Sequence, residues 1–236
     1  MAPSNNKREE TIELLRGPVM GVTVTSSSSE TATWGLPKAL LSHHSGYFQR
    51  ATRPGTFRES EDNKVTLEDF EPEIFKLFIE FMYYGRYTYQ DDLADKLKVR
   101  DSAKAWVLGD YLDAVEFKNF AMRNLYDIYF PINGEPKTGI GPAAIEHCCS
   151  ATLQDSPLQK LYLDCLIVYW HDNSVILYDS SCQWQWDEIW DRHRDLRNSI
   201  LYHTNQAPEG RLEMKKALEI YFAALSITDE PDVSSL

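Results

Sequence analysis

The stretch VTLEDFEPEIFKLFIEFMYYGRY, Val65 to Tyr87, decides how the rest of the chain folds. It reads as a short strand, a turn, and one amphipathic helix that stops at a glycine. Ile74, Phe75, Leu77, Phe78, Phe81 and Met82 recur at helical spacing, with Glu73, Lys76 and Glu80 on the opposite side. One face is therefore buried and the other wet. Pro72 stands where a first-turn proline is tolerated, and Glu71 and Glu73 place negative charge at the positive end of the helix dipole. Gly85 can adopt the left-handed conformation that ends a helix.

Before this helix, Val19–Thr25 alternates Met20, Val22 and Val24 with other residues, and Thr31–Leu36 alternates Ala32, Trp34 and Leu36, across a turn at Ser26–Glu30. That predicts a hairpin with one buried face. Pro37 opens an apolar helical stretch, KALLSHHSGYFQRA, with Leu40, Leu41, Tyr47 and Phe48 inward and a break at Ser45–Gly46. A helical hairpin is expected. TRPGTFRESEDN, residues 52–63, is a polar loop in which Phe57 stands out, and Lys64–Asp69 returns to strand.

After the helix the pattern is almost wholly helical. Asp101 or Ser102 is the expected cap of a helix presenting Ala103, Trp106, Val107 and Tyr111. Phe117, Phe120, Ala121, Leu125 and Ile128 form the stripe of the next. The Gly- and Pro-rich PINGEPKTGIGP, 131–142, marks a boundary. Beyond it, Ser156–Pro157 starts a helix with Leu158, Leu161, Tyr162, Cys165 and Tyr169. QWQWDEIWDRHRDL predicts one more helix, and Leu212, Ala217, Leu218, Tyr221 and Leu225 a last one. The expected organisation is an arm at 1–16, a mixed domain at 17–130, a linker at 131–142, a helical region at 143–226 and a disordered tail at 227–236.

With 236 residues, 43% hydrophobic and 12% aromatic, the chain has material for a sizeable core. Its 24 Lys and Arg against 36 Asp and Glu give a formal charge of -12, which disfavours direct binding to nucleic acid or anionic lipid. The N-terminus has no signal-peptide pattern, and no segment approaches the ~20 apolar residues of a membrane span. A cytoplasmic or nuclear location is expected, and Cys148, Cys149, Cys165 and Cys182 read as reduced thiols.

Taken together, the order hairpin, helical hairpin, strand, long helix and helical pair resembles the BTB/POZ family. Trp34-Gly35-Leu36-Pro37-Lys38 with Leu40, Leu41, Ser45, Tyr47 and Phe48 carries that likeness. So do Phe57-Arg58-Glu59, Val65-Thr66-Leu67, Pro72, Phe75, Phe81-Met82-Tyr83, Gly85-Arg86-Tyr87 and Trp106 through Leu112. It covers about Arg16 to Tyr129, and the compact layout is similar to fungal members. The implied fold is α+β, a small β-sheet flanked by helices, followed here by an α-helical C-terminal region resembling the BACK-like extension of cullin adaptors.

The resemblance implies a protein–protein interaction module. In members that act as substrate adaptors for cullin-RING ubiquitin ligases, a hydrophobic residue, any residue, then glutamate contacts the cullin, which selects Phe57 and Glu59 here. The plainer reading tucks Phe57 into its own core. The alternative is an oligomerising scaffold with no ubiquitin link, for example in transcriptional regulation. Two departures, Gly21 for an aspartate and Pro37 for a histidine, leave only Lys38 of the charged pocket used by repressor members. Family dimers pair through the arm and the first helical hairpin, here Thr11–Arg16 and Leu40, Leu41, Tyr47 and Phe48. The shortness of this arm predicts weak or missing strand exchange. No client-recognition domain follows, so the client is not legible.

No catalytic, cofactor or metal site is expected. GxSxG, HExxH, Walker A and dinucleotide patterns are absent from the sequence. Adjacent His147-Cys148-Cys149 point about 100° apart on a helix, which suits neither chelation nor a nucleophile–base pair. His43 and His44 read as solvent-facing or satisfied core histidines. Trp184, Trp186 and Trp190 read as the core of the helical region rather than an exposed binding surface.

Overall fold

The computed structural model describes residues 12–53, 63–88, 95, 97–132, 136–205, 210–211 and 217–222. Three strands form one sheet in the order β2-β1-β3: β1 is Val19–Thr25, β2 is Thr31–Pro37 and β3 is Lys64–Glu68. β1 pairs antiparallel with β2, from Val19 opposite Pro37 to Thr25 opposite Thr31, and parallel with β3, from Gly21 opposite Lys64 to Thr25 opposite Glu68. Period-two alternation puts Met20, Val22, Val24, Leu36, Val65 and Leu67 in the core. The opposite face carries cross-strand hydroxyl pairs, Thr23 with Thr33 at 3.0 Å and Thr25 with Thr31 at 3.1 Å.

The parallel crossover between β1 and β3 runs through β2 and a helical hairpin, α1 (Lys38–His44) and α2 (Gly46–Ala51). Ser45 breaks the hairpin because its hydroxyl is committed twice: it accepts the Phe48 amide at 3.1 Å as an N-cap and donates to the Leu112 carbonyl at 2.6 Å. Helix α3, Pro72–Tyr84, has the expected ends. Pro72 sits in its first turn, and Gly85 at φ 67° donates its amide to the Phe81 carbonyl at 2.7 Å.

Helix α4 spans Asp101–Tyr111 and α5 spans Val115–Tyr129. The expected Asp101 or Ser102 cap of α4 is corrected: Arg100 holds the cap position, with no side-chain cap bond. Ser102 is already buried inside the first turn, where its hydroxyl accepts from the Tyr87 phenol at 3.1 Å.

In the C-terminal region, α6 is Pro142–Ala151 and α7 is Pro157–Tyr169, the latter capped by Ser156 as expected. The single helix expected over QWQWDEIWDRHRDL is two, α8 (Gln183–Arg192) and α9 (Arg194–Thr204). The chain breaks at His193, φ -111° and ψ 66°, so that α8 packs on α6 while α9 packs on α7. One straight helix cannot follow two partners. Of the expected last helix, the described residues show Gly210 and Arg211 helical and a 3-10 turn over Leu218–Tyr221; Leu212 and Leu225 of that stripe lie outside the described residues. The tail at 227–236 does too.

One hydrophobic core runs through both sides of 131–142. Ile140 is fully buried, and its amide and carbonyl pair with the Val175 carbonyl at 2.6 Å and the Leu177 amide at 3.0 Å.

Candidate protein-interaction surface

Leu40, Leu41 and Phe48, the inward stripe of the helical hairpin, are each 0% exposed within their own chain. The residues of that hairpin with exposed side chains are Ala39, His43, Gln49 and Arg50, with Tyr47 half-buried. Periodicity marks a stripe that must be covered. It does not distinguish the chain's own core from a second copy.

Packing of the hairpin on the turn between α4 and α5 fixes its position. The Gly46 and Tyr47 amides donate to the Asp113 and Leu112 carbonyls, both at 3.1 Å, and Arg50 pairs with Asp113 at 3.0 Å. A Cβ at Gly46 would run into the Asp113 carboxylate, so a larger residue there has to displace that side chain from its pairing with Arg50. The same contact builds an aromatic patch. Tyr111, half exposed at the end of α4, lies 5.6 Å from Tyr47 and 5.0 Å from Phe70, ring centre to ring centre. Tyr47 belongs to α2, after which the chain passes into 54–62, and Phe70 follows β3, to which that segment leads. Phe57 and Glu59 themselves lie outside the described residues.

A second apolar surface lies in and just after the arm Thr11–Arg16, which the resemblance implicates in dimer pairing. Ile12, Leu15 and Val19 are 45%, 41% and 53% exposed at the start of the chain, where 12–14 form a helical turn. TIELL, the five residues 11–15, is too short to hold a helix on its own, and its apolar side chains repay ordering only where something covers them.

The groups that carry chemistry are held in quiet states. Burial pushes the Cys148 thiol well up, and burial with the Glu146 carboxylate raises Cys149 to about 11, so neither is a ready thiolate at neutral pH. Burial, then Lys104, lowers His147. His43 is exposed, while His44 is half-buried, 6.0 Å from the Phe81 ring, and lowered by burial and by His43. Among the described residues no group of three His, Cys, Asp or Glu side chains is placed to hold a metal ion. A cleft of about 690 Å³ opens between α6, α7 and the α8–α9 junction; its wall mixes Lys160, Arg194, Asp155 and Asp195 with Tyr162 and Leu166.

Trp186 is fully buried, stacks on Trp190 at 5.0 Å and 18°, and donates its indole N–H to the Leu177 carbonyl at 2.7 Å. Trp184 is 59% exposed. Residues 186 and 190 share one helical face and 184 does not, so two of the three tryptophans are core. Among the described residues no helix is long and apolar enough to cross a membrane.

A three-stranded sheet carrying a helical hairpin, a long amphipathic helix and a helical pair, with surface aromatics and buried titratable groups, defines a scaffold for contacts between proteins. Residues 27–106 match the family model of the BTB/POZ domain, and the chain contains such a domain, with the α+β fold of a protein-interaction family. That span begins in the turn between β1 and β2 and ends within α4; β1 and α5 complete the same packed unit. None of the curated proteins matches the chain.

Proposed function

We propose that this chain is a non-enzymatic substrate adaptor for a cullin-RING ubiquitin ligase. Residues 17–130 form the interaction domain, with Phe57 as hydrophobic anchor and Glu59 as its charge partner, and residues 143–226 serve as a BACK-like buttress and client surface. The observation that supports this reading is the half-exposed Tyr111, at the end of α4, against Tyr47 and Phe70, which come from the two stretches flanking the segment that carries Phe57. Tyrosine and phenylalanine are favoured interface anchors because they bury large area at small entropic cost. The working location is cytoplasmic or nuclear.

Calorimetric titration of the full chain with a cullin N-terminal domain tests it. Binding at micromolar or tighter affinity, lost in Phe57→Ala and weakened at least tenfold, about 1.4 kcal/mol, in Tyr111→Ala, is the expected result. Absence of heat with a folded chain overturns it.

A second reading, a homodimeric scaffold without a ubiquitin link, is favoured by exposed Ile12, Leu15 and Val19, since apolar side chains clustered at one terminus are a surface that association would cover. Light scattering of Ile12→Asp/Leu15→Asp beside the parent chain tests that face.

A further inference from the structure

We infer that the outer edge of β2 is a strand-pairing site for a second copy of this chain, which would join two three-stranded sheets into one across a two-fold axis at Trp34. The backbone parity of the sheet fixes which groups face out. The Gly21 amide donates toward β3, to the Asn63 carbonyl at 2.8 Å, so odd residues of β1 serve β3 and even residues serve β2. In register, Ala32, Trp34 and Leu36 bond inward, and the amides and carbonyls of Thr31, Thr33 and Gly35 point away from the sheet. Among the described residues no backbone hydrogen bond reaches them. Gly35 has no side chain, so its exposure is that of backbone; Gly21, in the central strand, is only partly exposed.

An open edge is an invitation to another strand, and proteins that must avoid pairing place charge or bulges there. The opposite edge follows that rule: β3 reads KVTLE, with Lys64 and Glu68 exposed. β2 does not. Its seven residues, TATWGLP, contain no charge, their one proline stands at the far end and leaves Thr31, Thr33 and Gly35 free to pair, and the register with β1 runs without a bulge.

The occupant follows from charge and register. Glu30 precedes β2 and Lys38 follows it, equally spaced about Trp34. Antiparallel pairing of two copies centred on Trp34 sets Glu30 of each opposite Lys38 of the other, an ion pair at both ends of the joint. It also sets Thr33 opposite Gly35, so that outward-facing groups meet outward-facing groups and each of the two symmetric Thr33–Gly35 pairs exchanges two bonds. The missing Gly35 side chain leaves room for Thr33. Moving the axis to Thr33 would set Glu30 against Leu36 and abandon both ion pairs. The strand is its own complement in one register. This contact does not depend on the adaptor reading or on the Ile12–Val19 surface.

The joint is small, so the expected affinity is weak, in the range of about 10 to 500 µM. Sedimentation velocity of the full chain at physiological salt, across that range, is the test. Thr33→Pro removes the outward amide together with the exposed hydroxyl contact to Thr23, leaves the backbone ladder to β1 intact, and is expected to abolish association. Glu30→Lys and Lys38→Glu each replace two attractions with two repulsions and are expected to weaken it at least fivefold, whereas the double variant Glu30→Lys/Lys38→Glu restores it to within twofold. Circular dichroism confirms that each variant is folded. A parent chain that stays monomeric overturns the inference. So does association that Thr33→Pro leaves unchanged, or that the charge swap fails to restore. Association lost only in Ile12→Asp/Leu15→Asp would place the contact on the other surface and overturn this one alone.

Discussion

Replacing Gly109 by alanine separates what helix propensity predicts from what the packing predicts. Gly109 lies within α4, and alanine at a helix interior is better than glycine by about 1 kcal/mol, so on propensity alone the variant is stabilised. The contact between α4 and α5 reverses the sign. A Cβ at 109 would lie 2.8 Å from Lys118 Cγ, 3.0 Å from Phe117 Cδ1 and 3.3 Å from the Lys118 amide nitrogen, where ordinary contact begins at 3.4 Å. None of these atoms is the far end of a flexible side chain. The Phe117 ring is packed edge to face against Phe78 at 5.2 Å, and the Lys118 stem is held by its ammonium, 2.7 Å from Asp110 and 5.2 Å from the centre of the Trp106 ring. The helices must part by about half an ångström, and overpacking of that order costs about 1–3 kcal/mol. Subtracting the propensity gain leaves Gly109→Ala destabilised by about 1 kcal/mol at the centre of a range of about 0–2, a central fall in Tm of roughly 2–4 °C for a chain of this size. Urea and thermal unfolding followed by circular dichroism read this directly. Lys118→Ala removes the nearest clashing atom, so Gly109→Ala/Lys118→Ala is expected to lose at least about 0.5 kcal/mol less than the two single variants summed. A Gly109→Ala chain as stable as its parent, or more so, refutes the packing argument.

Three further outcomes follow from the C-terminal region. Tyr221→Phe removes the donor that meets the buried Asp164 carboxylate at 2.6 Å, and is expected to cost about 1–3 kcal/mol in urea unfolding; an unchanged midpoint would show that this hydrogen bond contributes nothing. Cys149, raised to about 11 by burial and Glu146, should react with iodoacetamide at a rate that climbs until about that pH in the folded chain; levelling off near 9 in the native state would contradict this. His147 is lowered from 6.5 by burial and by Lys104, with Glu71 opposing, so below about pH 6.5 the unfolded chain binds a proton that the folded chain refuses, and stability falls as pH falls. Between pH 7.5 and 5.5 His147→Gln should therefore lose less stability than the parent, and an equal loss in both would remove His147 from the account.

The elements legible in the sequence are those whose determinants are local. Val19–Thr25, Lys64–Glu68 and Pro72–Tyr84 carry their own period, and Pro72 and Gly85 punctuate the helix where the structure begins and ends it. The misses share a cause. Ser102 looks like a cap until Tyr87, fifteen residues upstream, claims its hydroxyl, and QWQWDEIWDRHRDL looks like one helix until α6 and α7 require two directions. The candidate interaction surface was legible only as composition. Leu40, Leu41 and Phe48 satisfy the pattern of an interface and of a core equally well, because the pattern records that a face is covered and not by what. Tyr111 appeared as part of a buried stripe, and it is the end of α4, where the helix runs out of neighbours, that leaves it half exposed.

The segment 131–142 has the composition of a boundary, yet what surrounds it argues for mechanical continuity. Tyr129 and Phe130, at the end of α5, are fully buried, and their partners come from beyond the segment: Tyr162 at 5.7 Å from Tyr129, and Tyr169 at 5.8 Å from Phe130. The Tyr169 hydroxyl donates to the Tyr129 carbonyl at 3.1 Å, and Tyr126 meets Tyr221 at 6.0 Å. Helix α5 thus has α4 on one side and α7 with the 3-10 turn on the other. Uncovering several aromatics of about 150–250 Å² each would cost far more than a flexible hinge can recover. Helix α5 is thus the element through which the C-terminal helices and α4, whose end carries Tyr111, share one packed body.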